Sequence, residues 1–161
     1  MLPNPLHPAV VHFPIVLAVL LPLFVVGALW AIRRGTEPVR AWSVPLAMAG
    51  LLLVSAFAAM RTGEAEEDRV EAVVPEGVLH EHEEAAERFL VLSGVLLLVA
   101  GAGLLRGNVG SAARLLTAAG SLGLLVAGAQ VGAAGGELVY EHDAASAYVN
   151  QATSPSFDTD D

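Results

Sequence analysis

Four apolar runs, each long enough to cross a lipid bilayer, decide what this chain can be. A span takes about 20 residues, and such runs occupy Val10–Ile32, Trp42–Met60, Phe89–Leu105 and Leu115–Ala134. The third is short and is expected to extend outward through Ala85 and Ala86. Backbone groups in hydrocarbon must be paired within the segment, so these runs fold as helices. The 161 residues are 55% hydrophobic and only 16% charged, where a soluble domain carries about 25% charged residues. Abundant Leu, Val and Ala exclude a disordered chain. A net charge of -9 excludes a nucleic-acid binder, which needs a basic face. The chain has no cysteine. Disulfides, zinc–thiolate sites, iron–sulfur clusters, thiol nucleophiles and covalently attached c-type haem are thereby excluded. Redox chemistry would have to run on histidine, carboxylates or a bound cofactor.

No Lys or Arg precedes the first run, and the run is too long for a signal peptide, so the first span is expected to be retained. Orientation follows from arginine, because there is no lysine. Arg33, Arg34 and Arg40 follow span one, and Arg106 and Arg114 bracket the loop after span three. The positive-inside rule places these two short loops in the cytoplasm. Both termini and the 61–88 segment then face outward from the cell membrane, and of the 17 acidic residues only Glu37 is inside. The acidic outer side, including the tail Phe157–Asp161, reads as a solvated surface.

Short loops make spans one and two, and three and four, antiparallel neighbours. The expected fold is all-α: an integral-membrane, up-down four-helix bundle forming a single domain, with spans one and three on a diagonal. An extra-membrane helical segment, 61–88, joins spans two and three. Within it Glu64–Val74 reads as a short amphipathic helix, and a second helix starts near Pro75-Glu76 and runs into span three. Gly128, Gly132 and Gly136 repeat every four residues on one face of span four. Such a face permits close helix packing, or leaves room for a flat cofactor. Gln130, a strongly polar residue deep in span four, is expected to point into the bundle.

The five histidines, His7, His12, His80, His82 and His142, all lie at or beyond the outer span ends. Up-down topology gathers the outer ends of spans one, three and four at one rim. His12 sits inside an apolar run, where an ionisable residue points to function. The competing reading is a neutral imidazole bonded to a carbonyl freed by Pro14. His7 precedes Pro8 and reads as an N-cap-region residue at the membrane surface. Five residues separate His7 from His12, about 140° around a helix, so the two cannot easily grip one small metal. His80 and His82 are two apart, so one can face the bundle while the other faces water. The run Glu81-His82-Glu83-Glu84 lacks the second histidine of a zinc-protease helix, since Ala86 stands there.

His7-Pro8-Ala9-Val10-Val11-His12-Phe13-Pro14-Ile15 resembles the opening signature of the family called domain of unknown function 2231, small four-span proteins of bacteria and archaea. Thr62-Gly63 after span two, His82-Glu83-Glu84 before span three and Gly135-Gly136-Glu137-Leu138-Val139-Tyr140-Glu141-His142 after span four resemble its other motifs. Where the family's last motif usually ends His-Gly, Asp143 follows His142 here. The resemblance implies no established activity. Some relatives carry a Rieske-type or cupredoxin domain, which points toward electron transfer. Carried over by residue, the motif histidines are His7, His12, His82 and His142; His80 reads as a surface residue.

Four histidines at the mouth of a bundle suit axial ligation of non-covalent haem b, with the span-four glycines lining the slot. The expected function is electron carriage at the outer face, more a carrier's role than an enzyme's. The partners would be the lipid bilayer and a redox protein on the outer side, with self-association left open. The alternatives are copper or zinc held by His7, His12, His82 and His142, and a non-catalytic accessory subunit. His12 is expected to be the ligand whose loss abolishes cofactor binding, with His82 or His142 across from it.

Overall fold

A computed structural model describes residues 5–152 of the chain, with side chains through Val149. The described chain is a series of helices: α1 (His7–Val10), α2 (His12–Arg33), α3 (Pro38–Glu64), α4 (Glu67–Glu71), α5 (Glu76–Ala102), α6 (Gly107–Tyr140) and α7 (Ser146–Ala152). Four stretches are long and apolar enough to cross a membrane: His7–Arg33, which joins α1 and α2, then α3, α5 and α6. Helix α2 packs on α3 and α6, and α5 packs on the same two, so α2 and α5 face each other across the bundle. The expected up-down bundle, with spans one and three on a diagonal, is what is found.

The helices outrun the apolar runs that predict them. At about 1.5 Å per residue a helix of the length of α5 is about 40 Å long, against about 30 Å of hydrocarbon. The surplus emerges where the histidines are, here called the histidine end; the opposite end carries Arg33, Arg40, Arg106 and Arg114. The 61–88 segment is therefore largely not a connector. Its start completes α3, its last turns open α5, and α4 alone lies between. The amphipathic helix expected over Glu64–Val74 is shorter, Glu67–Glu71, and Val74 is buried whereas Val73 is exposed. Val74 packs with Leu79, Leu138 and Ala144 into a small cap above the bundle. The start expected near Pro75-Glu76 holds, with Pro75 the N-cap of α5. The expected acidic tail Phe157–Asp161 lies outside the described residues.

The bundle is apolar outside and small or hydroxylic inside. Phe13, Leu23, Trp30, Val54, Leu98 and Leu116 all point outward. A water-soluble bundle could not expose such a surface, whereas lipid accepts it. Inside, Ser93, Thr117 and Ser121 are buried, and each donates its hydroxyl to a carbonyl of its own helix. Lipid is as apolar as leucine, so the interior is chosen for close packing rather than hydrophobicity.

Each buried face has a spacing of alternating threes and fours. On α2 it comprises Pro14, Ala18, Leu21, Val25 and Ala28. On α3 it comprises Trp42, Pro45, Ala49, Leu52, Ala56 and Ala59. Phe89, Ser93, Leu96 and Ala100 form it on α5, and Gly110, Arg114, Thr117, Ser121 and Leu124 on α6. An average of 3.5 residues is the period of helices that meet knob-into-hole along a continuous seam. The α5–α6 seam shows the device: Phe89 lies 3.2 Å from where a Cβ on Gly128 would stand, and Leu96 fills the same place at Gly120.

Candidate histidine site at the bundle mouth

The seams continue past the membrane core. Two steps outward from Pro14, three then four residues, bring the α2 face to Val11 and His7. Four beyond Ala59, the α3 face reaches Gly63. Seven before Phe89, the α5 face reaches His82, and seven beyond Gly128, the α6 face reaches Gly135. These four residues form one layer at the histidine end. Its two imidazoles come from one diagonal of the bundle and its two glycines from the other.

The contacts bear this out. The rings of His7 and His82 have centroids 6.3 Å apart and planes at 85°. His7 lies on Gly63, where an added Cβ would stand 3.2 Å from its Cε1. His82 lies on Gly135 in the same way, at 3.1 Å. Each imidazole thus rests on the bare backbone of a neighbouring helix, and any side chain there would push it away.

The two rings differ in their bonding. His7 Nδ1 lies 2.9 Å from the Ala59 carbonyl and 3.3 Å from the Thr62 hydroxyl. That hydroxyl donates its own proton to the same carbonyl, at 2.8 Å. Donation to a carbonyl requires the proton on Nδ1, which leaves the lone pair on Nε2. A backbone carbonyl fixing one ring nitrogen is the usual support of a metal-ligating histidine. His82 is placed alike but bonded less well: its Nδ1 is buried without a hydrogen bond of good geometry among the described residues, and the Val131 carbonyl, four residues before Gly135 as Ala59 is before Gly63, is the backbone acceptor within reach of its ring. Leaving a buried polar atom without a good bond costs up to about 1–3 kcal/mol, and such an atom calls for an explanation.

His12 is not in this layer. It is exposed on the lipid-facing side of α2, the side that a turn of about 140° from His7 dictates. The expectation that His12 leads the ligand set therefore passes to His7. His142 is also outside the pair: it has a side-chain exposure of 28%, and its Nε2 is 3.8 Å from a Glu137 carboxylate oxygen. His80 is 68% exposed beside Glu83 and Glu84, as its surface reading anticipated. Gln130 faces outward, not into the bundle. The expected glycine slot changes as well. Gly128 seats Phe89, but Gly132 meets nothing within 4 Å, and the interior below the mouth is filled by Trp42, Leu21, Leu52 and Val25.

Sequence reasoning missed Gly63 and Gly135 as partners of the two histidines. The signal was present as the three–four spacing of each inner face, extended outward by one or two steps. That rule selects His7 and His82 and rejects His12 and His80.

Asp143 explains the one departure from the family's motif. It has φ 53°, in the left-handed region, where glycine is the unstrained residue and aspartate is among the better-tolerated substitutes. The turn is held by the Ala144 amide, which donates to the Leu138 carbonyl at 3.0 Å. Among the described residues no group of three or more histidine and carboxylate side chains is arranged to hold a metal ion. Comparison with curated proteins and with solved structures gives no match. Comparison with protein families gives one over residues 3–147, which covers every motif discussed above, and the chain belongs to that family, the predicted membrane proteins of unknown function designated DUF2231.

Proposed function

We propose that this protein is a membrane-embedded electron carrier that holds haem b between His7 and His82 at the outer mouth of the bundle. The observation that carries the reading is the two-imidazole, two-glycine layer. The ring centroids of His7 and His82 are 6.3 Å apart, close enough for both imidazoles to hold one iron. His7 and His82 would hold the group, and to admit it they would leave their seats on Gly63 and Gly135, because the two rings now fill the space over those glycines. A bound haem would supply one-electron chemistry. The residues of the chain would orient it: Ala59 and Thr62 fix the His7 ring, and the poorly bonded nitrogen of His82 gains a reason to be buried.

The orientation proposed with it follows the arginines. The two arginine-bearing loops face the cytoplasm, and both termini and the histidine mouth face the outside of the cell membrane. Zinc or copper held by histidines is the weaker reading. A closed zinc site takes four ligands and a catalytic one three, and this layer offers two imidazoles.

The test is the spectrum of the protein purified after expression with ample haem. A reduced-minus-oxidised difference of the low-spin bis-histidine kind is expected, with pigment that acid acetone extracts. His7→Ala and His82→Ala should each lower haem content to background, while His12→Ala and His80→Ala leave it unchanged. A colourless protein with stoichiometric zinc or copper would overturn the reading, as would full haem content in His7→Ala.

A further inference from the structure

The histidine layer lies at the end of the bundle, yet His82 Nδ1 is buried. What covers it is apolar. One helical turn outward, about 4.5 Å along each axis, Leu79 stands before His82 on α5 and Leu138 stands after Gly135 on α6, and both are buried. Val74 and Ala144 pack with them, which makes a cover above the α5–α6 side of the layer. The segment Glu141–Tyr148 supplies the outer part of that cover. It leaves α6 through the turn at Asp143 and buries Ala144 and Ala147. It ends with Tyr148 against α4, where the Arg69 guanidinium lies 5.4 Å from the ring centroid. Arg69 is itself paired with Glu66 at 3.2 Å, and the Tyr148 hydroxyl lies within reach of the same carboxylate. Burial and that carboxylate raise the pKa of the hydroxyl, so it keeps its proton and can donate.

The backbone of this segment is not tied to what it covers. The amides of Glu141, His142 and Ala144 donate back to Glu137 and Leu138 of α6, and those of Ser146, Ala147 and Tyr148 donate within the segment. It is held across the mouth by side chains, chiefly Ala144 in the cover and Tyr148 on α4. Cation–π contacts at exposed sites and surface ion pairs are each weak. Segments with so few buried apolar contacts are the ones that open locally. The other approaches are packed: Trp42, Leu21 and Leu52 fill the interior below, and Phe89 on Gly128 closes the α5–α6 seam. We propose that Glu141–Tyr148 is a lid over the His7–His82 pair, hinged at the turn that ends α6 and latched by Tyr148 on Arg69 and Glu66, and that a ligand reaches the pair from the water side when the lid lifts. This deepens the haem reading, because it rests on the pair as the binding site and names its entrance.

The experiment is carbethoxylation of the full chain in phosphatidylcholine nanodiscs by diethyl pyrocarbonate, with the rate at each histidine read by peptide mass spectrometry. In the unaltered protein exposed His80 should react about tenfold faster than His82. Ala144→Asp, which puts a carboxylate into the apolar cover, should speed His82 about tenfold. Tyr148→Ala removes the latch and should speed it about twofold to fivefold, and neither variant should change His80. Val74→Cys combined with Ala144→Cys locks the lid, as a disulfide or through a short bismaleimide. In the disulfide form His82 should be unreactive and haemin uptake about tenfold slower, and reduction should restore both. The reduced form of that double variant controls for folding, so the lock decides the matter should Ala144→Asp misfold. His82 rates that ignore both lid variants would overturn the proposal, as would a cysteine pair that fails to cross-link in the folded protein. Haemin uptake equally fast with the lid locked would show entry from the bilayer and overturn it too. Haemin binding to no form of the protein, with His82 still released by the lid variants, would overturn the haem reading and support the lid.

Discussion

The two ends of the bundle handle the same problem in opposite ways. Every membrane helix presents polar backbone groups at its ends, and these must find partners. At the arginine end the C-terminal groups of α2 and α5 turn inward to protein. Gly35, at φ 97°, ends α2. Its amide donates to the Ile32 carbonyl at 3.0 Å and that of Thr36 donates to Ala31 at 3.0 Å, the paired bonds of a Schellman cap. The last carbonyls of α5 are met by side chains from other helices. Trp42 Nε1 donates to Ala100 at 2.8 Å, and Arg114 Nε donates to Gly103 at 2.8 Å. Arg114 is only 7% exposed and has no carboxylate partner in the described residues. Its charge sits against the negative end of the α5 dipole, which suits a cation. The histidine end uses its side chains differently. One imidazole is tied to a carbonyl and the other is buried with a poorly bonded nitrogen. The comparison teaches where to look for function: at one end the helix C-termini are closed by donors of good geometry, and at the other a buried imidazole nitrogen lacks one.

The largest effect that would sharpen this contrast is at Arg114. Arg114→Leu leaves the carbonyls of Gly103 and Leu105 without their charged donor. Hydrogen bonds to charged groups are worth about 1.5–3 kcal/mol, so a loss of about 3 kcal/mol is expected in denaturant titration of the detergent-solubilised protein. Haem content of the folded fraction should not change. His82→Ala should do the reverse, with haem lost and stability lowered by no more than about 1 kcal/mol, because the packing lost over Gly135 is offset by removal of a poorly bonded buried nitrogen. Equal destabilisation by both substitutions would break the comparison.

Next in size is Gly135→Leu. A Cβ at Gly135 would already stand 3.1 Å from the His82 ring, and the longer side chain takes the imidazole's place. The variant should lose most of its haem with a stability cost of about 1–3 kcal/mol from overpacking. Gly132→Leu, four residues from Gly128 on the glycine repeat but open to the outside with nothing within 4 Å, should be silent in both measurements. Equal haem loss from Gly132→Leu would restore the glycine repeat as the cofactor slot. Trp42→Phe removes the bond to Ala100 and leaves a cavity where the larger indole stood. A loss of about 2 kcal/mol is expected, again without effect on the spectrum.

How much of this was legible in the sequence depends on which physical signal each feature left. The four spans, the antiparallel neighbours and the diagonal follow from run lengths and loop lengths, and the structure has them. The separation of His80 from His82 follows from helical geometry. The outward placement of His12 and Gln130 was not legible by hydropathy. In a membrane bundle the lipid side is as apolar as the core, or more so, and an all-round apolar helix has no polar face to mark its outside. Val11, His12 and Phe13 are adjacent in an apolar run, yet only Val11 lies on the inner face. What marks the inside is the three–four spacing of small residues and prolines, Pro14, Ala18, Leu21, Val25 and Ala28 on α2. That spacing was readable but competes with a four-residue glycine repeat on α6 that points partly outward. The helix ends were also hidden, because α5 begins as a charged helix in water and continues unbroken into the membrane. No change in hydropathy marks the continuity of a helix across that boundary.

The smallest predicted effect concerns the turn after α6, where the histidine end borrows a device that the arginine end uses in full. Gly35 takes its positive φ without strain, whereas Asp143 takes φ 53° with a Cβ attached. A non-glycine residue in this region costs about 1–2 kcal/mol, less for aspartate, whose short polar side chain can bond locally. Glycine in turn gives up more chain entropy on folding, about 0.5–1 kcal/mol. The two terms oppose each other, so Asp143→Gly should stabilise by no more than about 0.5–1 kcal/mol. The measurement is the denaturation midpoint, with Asp143→Val as the contrasting variant, since a β-branched residue is the worst fit to positive φ. Val should destabilise where Gly stabilises. If the two variants move the midpoint in the same direction, strain at residue 143 is not what separates this turn from the family's His-Gly ending. The spectrum adds a second reading, because the same turn carries His142 past Glu137 and away from the His7–His82 pair. Unchanged haem content in both variants is expected, and a loss confined to Asp143→Val would draw His142 into the site after all.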